Sequence, residues 1–112
     1  MNIKVDSIGK VSVVRCGGAL DAETVGMFKK VTAELVNSGA TQLVVDCADL
    51  TFIDSMGLGA LISLLRRLRH QQGDLKMASL NEEVKTIFEI TRLHRLFDVC
   101  TDANAACKQF KK

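Results

Sequence analysis

The stretch QLVVDC (Gln42, Leu43, Val44, Val45, Asp46, Cys47), the segment DLTFIDS after it (Asp49 to Ser55), and the run that starts at Met56 decide the fold. QLVVDC is a short, almost unbroken apolar run, as in a strand covered on both faces and placed centrally in a sheet. The run over residues 56–72 has a different period. Leu58, Leu61, Ile62, Leu65 and Leu68 form one continuous stripe, the pattern of a helix with one buried face. A doubly covered strand needs layers above and below it, and an amphipathic helix supplies such a layer. The pair therefore predicts an α/β architecture.

Working outward, the same alternation continues. Residues 3–8 read as a half-buried strand, with Ile3, Val5 and Ile8 apolar, and Ser7-Ile8-Gly9-Lys10 as a turn. In residues 11–16, Val11, Val13 and Arg15 share one face, while Ser12, Val14 and Cys16 share the other. Gly17-Gly18 is expected to end that strand, because glycine permits backbone angles other residues avoid. Asp21 is placed to cap a helix over residues 22–37, with Val25, Phe28, Val31 or Thr32, and Leu35 at helical spacing and Asn37-Ser38-Gly39 as its stop. Beyond the central helix, Gly73-Asp74 turns the chain into a strand at 75–79. Asn81 caps a helix to about residue 91, with Glu82 and Glu83 in its first turn. A short strand at 97–99 and a helix capped by Asp102 and running to about residue 110 complete the pattern. The expectation is a single domain over residues 1–112, a mixed sheet of about four to five strands with about four helices packed against it.

Composition narrows the function. At 112 residues the chain is of one-domain size, and 47% hydrophobic against 25% charged residues argues against disorder. Fifteen Lys and Arg against thirteen Asp and Glu leave a formal charge of +2, too balanced to point to nucleic acid or a membrane surface. The longest apolar span, 56–65, stops at Arg66-Arg67, short of the ~20 residues that cross a bilayer. MNIKVDSIGK has no apolar run of signal-peptide length, so a soluble cytoplasmic protein is expected. Cys16, Cys47, Cys100 and Cys107 make no CxxC pair; they read as structural thiols, with disulfides or metal ligands as the other options. His70 and His94 have no Cys or His at ligand spacing, so no metal site is expected. All five aromatic residues are Phe, and none interleaves with the basic cluster Arg66, Arg67, Arg69 and His70. That cluster suits a solvated helix end complementing the dipole, or else an anionic partner.

The segment IDSMGLG (Ile53 to Gly59) does not follow from helix propensity. Asp54 or Ser55 caps the helix start, yet Gly57 and Gly59 lie in its first turns, and each costs about 1 kcal/mol against alanine. Two readings stand. Either a glycine lets the helix sit tight on the sheet, or bare backbone lets another molecule reach a serine at a helix N-terminus, where phosphate is favoured. A serine-hydrolase elbow reads GxSxG, and no histidine has evident base spacing, so nucleophilic catalysis is not indicated. No acid/base pair or metal constellation is visible, and the chain is not expected to be an enzyme or to need a cofactor.

On these residues the sequence resembles the STAS domain family, and within it the bacterial anti-sigma factor antagonists. LTFIDSMGLGAL resembles the motif of an aliphatic residue, Asp-Ser, a small residue, Gly, an aliphatic residue and Gly. GGALDAET, LVVDCADLTFIDS, GDLKMASLNEEV and TRLHRLF extend the resemblance over almost the whole chain. It implies that Ser55 is a phosphoacceptor for a partner that is both serine kinase and anti-sigma factor, and that a metal-dependent serine phosphatase removes the mark. It also implies that the unphosphorylated form binds the anti-sigma factor and frees a sigma factor. The implied contact surface is Asp54, Met56, Gly57, Leu58 and Gly59, with Asp21 nearby. Leu58 also suits core packing, and Asp21 a simple cap. Met56 departs from the motif, where Ser or Thr is common, and bears on which kinase fits. The expected effect of phosphorylation is to block the interface while leaving the fold intact. The alternative within the family is a separate subunit of a lipid or anion transport complex.

Overall fold

The computed structural model describes residues 1–110. The elements are β1 (Asn2–Ile8), β2 (Val11–Leu20), α1 (Val25–Asn37), β3 (Gln42–Ile53), α2 (Ser55–His70), β4 (Asp74–Ala78), α3 (Glu82–Ile90), a 3-10 turn (Leu93–Arg95), β5 (Asp98–Cys100) and α4 (Ala103–Gln109). The strands form one sheet in sequence order, β1 antiparallel to β2 and the remaining pairs parallel. The expected mixed sheet with its helices is therefore what the chain forms.

Alternation of side chains assigns the layers. Val14 and Cys16 of β2, Leu43, Val45 and Cys47 of β3, and Leu75 and Met77 of β4 meet Phe28 and Val36 of α1, Leu61, Leu65 and Leu68 of α2, and Val84 and Phe88 of α3. The opposite face presents Val11, Val13, Val44 and Ala78 to Ala103, Ala106 and Cys107 of α4. Leu43 and Val44 are both fully buried, one on each face, as the central strand requires.

Two boundaries differ from the sequence reading, and both matter for the site. Gly17-Gly18 does not end β2. The strand continues to Leu20 through register shifts between Arg15 and Gly17 and between Gly18 and Ala19, with Gly18 at φ +90°, so the glycines supply an irregularity in place of a stop. Likewise β3 runs past Cys47 to Ile53. The longer strands pair in parallel as far as Leu20 with Ile53, which brings Asp21 and Asp54 out together at one edge. Smaller shifts of one or two residues occur at α2, β4 and β5.

Cys16 and Cys47 are buried free thiols, as one reading of the sequence had it. Burial, with Asp46 nearby, pushes the Cys16 thiol up to about 12, and burial pushes Cys47 up further, with Cys16 and Asp46 adding to it. Both stay protonated and behave as small apolar groups. Iodoacetamide at pH 8 is expected to spare both until denaturant is added, with intact mass counting the labels.

Lys76, only 6% exposed, extends on the α4 face. Its Nζ lies 2.6 Å from Asp98 Oδ2, 3.4 Å from Asp74 Oδ2 and 4.7 Å from the Phe110 ring centre, tying β4, β5 and the end of α4 together. Burial pulls its ammonium down, but the hydrogen bond and charge of Asp98, with Asp74, outweigh that and raise it overall. A raised lysine stabilises the fold below its unfolded value of about 10.4 and loses that contribution as pH climbs through the folded value. Urea unfolding is therefore expected to show wild type losing stability relative to Lys76→Met above about pH 10, with a constant difference below it.

Candidate functional site

Asp54 organises the C-terminal edge of the sheet. Its backbone N–H donates to Leu20 O at 3.2 Å, closing the β2–β3 ladder, and its carbonyl accepts from Leu58 N at 2.9 Å, opening α2. The carboxylate is divided between two segments. Oδ1 accepts from Gly57 N at 2.9 Å, the N-cap bond of α2, and Oδ2 accepts from Ala22 N at 3.0 Å in the turn after β2. One side chain thus caps a helix and holds the neighbouring turn against that cap.

Asp21 stands on the other side of this contact, with a role different from the expected cap of a helix at residue 22. Helix α1 begins at Val25 with Thr24 as its cap residue, and residues 22–24 form a turn. Asp21 Oδ1 accepts from Glu23 N at 3.0 Å and Thr24 N at 3.2 Å, so it satisfies the same free N–H groups one turn earlier. The Thr24 hydroxyl is committed elsewhere, donating to Ala19 O at 2.7 Å. Asp21 therefore shapes the turn that Asp54 holds.

Ser55 is the first residue of α2 and is exposed, and its hydroxyl makes no hydrogen bond among the described residues. Met56 beside it is 51% exposed. Leu58 is half-buried against the main core, so packing accounts for it. The two glycines part company. A Cβ on Gly57 would lie 2.5 Å from Leu20 O and 2.9 Å from both Ile53 Cγ1 and Leu20 Cγ, whereas one on Gly59 would meet nothing within 4 Å. Gly57 is the close-packing glycine; at Gly59 packing asks for nothing, and the open backbone faces solvent.

Sequence reasoning missed two neighbours of this edge. Phe52, next to last in β3, and Met27, in the first turn of α1, are both 48% exposed. The signal for Phe52 was its place between Leu50 and Ile53, which are buried and leave it facing outward. Met27 carried a weaker one, lying off the stripe of Val25, Phe28 and Thr32. The basic residues predicted to cluster after Leu65 divide: Arg69 bonds Asp74 and Leu96 O, Arg67 bonds Asn37, and Arg66 and His70 are exposed. Among the described residues no group of His, Cys, Asp and Glu is arranged to hold a metal ion, and no helix is long and apolar enough to cross a membrane.

The edge thus presents a hydroxyl at a helix N-terminus, two acidic residues and exposed Met and Phe side chains. The STAS domain model matches residues 2–106, and the chain belongs to that family. The anti-sigma-B factor antagonist of Staphylococcus aureus is 28% identical over 99 residues, covering 88% of this chain and 92% of that protein. Among solved structures, an anti-sigma factor antagonist from Mycobacterium paratuberculosis has a TM-score of 0.91 at 20% identity, over 99% of this chain and 94% of that one. SpoIIAA, the Bacillus cell fate determinant and an anti-sigma factor antagonist, has been solved unphosphorylated and phosphorylated. Both forms have a TM-score of 0.75, at 19% identity over 98% of each chain and at 20% identity over 96% of this chain and 98% of that one. At these identities the solved structures establish the shared fold.

The contrast between the glycines gives a stability test. Gly57→Ala is expected to lose about 1–3 kcal/mol from overpacking, while Gly59→Ala gains up to about 1 kcal/mol from helix propensity. Urea unfolding of the two variants measures both.

Proposed function

We propose that this chain is an anti-sigma factor antagonist that acts by binding and not by turnover. It docks, unphosphorylated, on an anti-sigma factor that is also its serine kinase, and frees a sigma factor for transcription. Phosphorylation of Ser55 ends the contact, and a metal-dependent serine phosphatase restores it. The observation that carries the reading is the exposed, unbonded Ser55 hydroxyl beside a carboxylate locked by two backbone N–H groups. It is supported by membership of the STAS family and by the name of the Staphylococcus aureus relative.

Electrostatics favour a switch at the interface over one in the fold. A phosphoserine adds about −1.5 to −2 charges, and with Asp54 the patch approaches −3. The first strong cation along α2 is Arg66, eleven residues and ~17 Å away, beyond the ~8–10 Å screening length. The helix dipole favours the phosphate by only about 0.3–1 kcal/mol. A partner carboxylate at ~4 Å would oppose it by up to about 4 kcal/mol at an effective dielectric of 20. The repulsive effect is larger and falls on binding, enough for a loss of some hundreds-fold. Asp21, Met56 and Gly59 supply the remaining contacts, with Gly57 and Leu58 seating the helix beneath them.

Incubating the protein with ATP and an extract of its own cells, followed by mass spectrometry, is expected to add one phosphate that Ser55→Ala does not take. Phosphorylated protein should bind the purified kinase some hundreds-fold more weakly than unmodified protein. Equal binding by the two forms would sink the switch. Recovery with a transporter ATPase in place of a kinase would move the assignment to a transport subunit.

A further inference from the structure

The seam between α1 and α2 holds an open groove of about 240 Å³, with Lys29 towards one end, Arg67 at the other, and Thr32, Ala33, Ala60 and Leu64 along it. Its charge is one-sided. Helix α1 has Lys29 and Lys30 against Glu34, which does not line the groove, and α2 has three arginines and no acid. The two helices thus carry four net positive charges in a chain whose formal total is +2, so the rest of the molecule is net negative. Lys29 has no ion pair or hydrogen bond among the described residues, and Arg67 bonds only a neutral amide, Asn37 Oδ1 at 2.6 Å. Neither charge is neutralised by the fold.

Position links the groove to Ser55. Met56, Gly59, Ser63 and Arg67 follow one another at helical spacing along α2, so the groove continues the exposed ridge that begins beside the phosphoacceptor. Lys29 lies eight residues before Asn37 on α1, and Arg67 meets Asn37, so the backbone position of Lys29 is ~12 Å along the helix axis from the residue that Arg67 bonds.

We propose that this groove receives an acidic segment of the same protein partner that docks at Ser55, with two of its carboxylates placed to meet Lys29 and Arg67. The inference rests on the function proposed above and adds the chemistry of the partner's contact. The recessed aliphatic floor takes side chains between the two carboxylates, and no aromatic residue lines the groove for base stacking, which favours a protein over a nucleic acid. The arrangement also gives the phosphate a defined opponent. An acidic segment drawn along the groove is the kind of partner that added negative charge at Ser55 would repel.

The test places p-benzoylphenylalanine at Ser63, in the groove, or separately at Met56, beside the phosphoacceptor, in the full chain within its own cells. Cross-linked products are sequenced by mass spectrometry. The expected result is that Ser63 captures the protein also captured at Met56, through a peptide carrying at least two Asp or Glu residues. Lys29→Glu combined with Arg67→Glu should lower the Ser63 yield about tenfold, and Lys29→Arg with Arg67→Lys should keep it, with unfolding curves confirming that each variant folds. The inference is overturned if Ser63 captures nucleic acid, lipid, a second copy, a peptide without acids or nothing while Met56 captures a partner. An unchanged yield after charge reversal overturns it as well. Failure at both positions counts against the proposed function together with the groove.

Discussion

Asp54 is the point on which the arrangement turns. Its backbone closes the parallel pairing of β2 with β3 and opens α2, and its carboxylate reaches both the helix cap at Gly57 and the turn at Ala22. Each part is an ordinary backbone bond or capping interaction, worth about 1 kcal/mol. Their concentration in one residue fixes where Ser55 stands relative to Asp21. The precondition lies further back in the chain, in strands long enough for Leu20 to pair with Ile53.

This has a bearing on how a charge at Ser55 would be read. A carboxylate committed to two backbone donors is held in place by both, and the helix below it is set at its depth by the contact of Gly57 with Leu20 and Ile53. The edge is tied by hydrogen bonds and close packing where the hydroxyl sits. A modification there changes the surface that a partner meets more readily than it changes the layers beneath. Gly59 stands apart from this framework, since a methyl group at that position would touch nothing.

Much of the fold was legible because burial has a period. QLVVDC predicted a central strand, and both Leu43 and Val44 are fully buried on opposite faces. Asn81 and Asp102 cap α3 and α4 as their residue types suggest, accepting from Val84 N and Ala105 N. What could not be read locally was the continuation of β2 through Gly17-Gly18. Pairing with β3 supplies the hydrogen bonds that propensity alone would forgo there. The same long-range pairing made Asp21 a turn residue and extended β3 beyond QLVVDC to Ile53. At the site, Asp54, Ser55 and the glycine pair stood out by type and spacing. Yet only packing separated the roles of Gly57 and Gly59, and only burial revealed Phe52 and Met27 as exposed neighbours.

The placement of α4 has a consequence of its own. Among the described helices it alone covers the second face of the sheet, over a small core of Val11, Val13, Val44 and Ala78, on the side opposite the three-helix layer that carries the hydroxyl. A substitution in that minor core therefore changes stability without touching the residues around Ser55. Heat tolerance and the chemistry of the opposite edge are thereby separable by substitution.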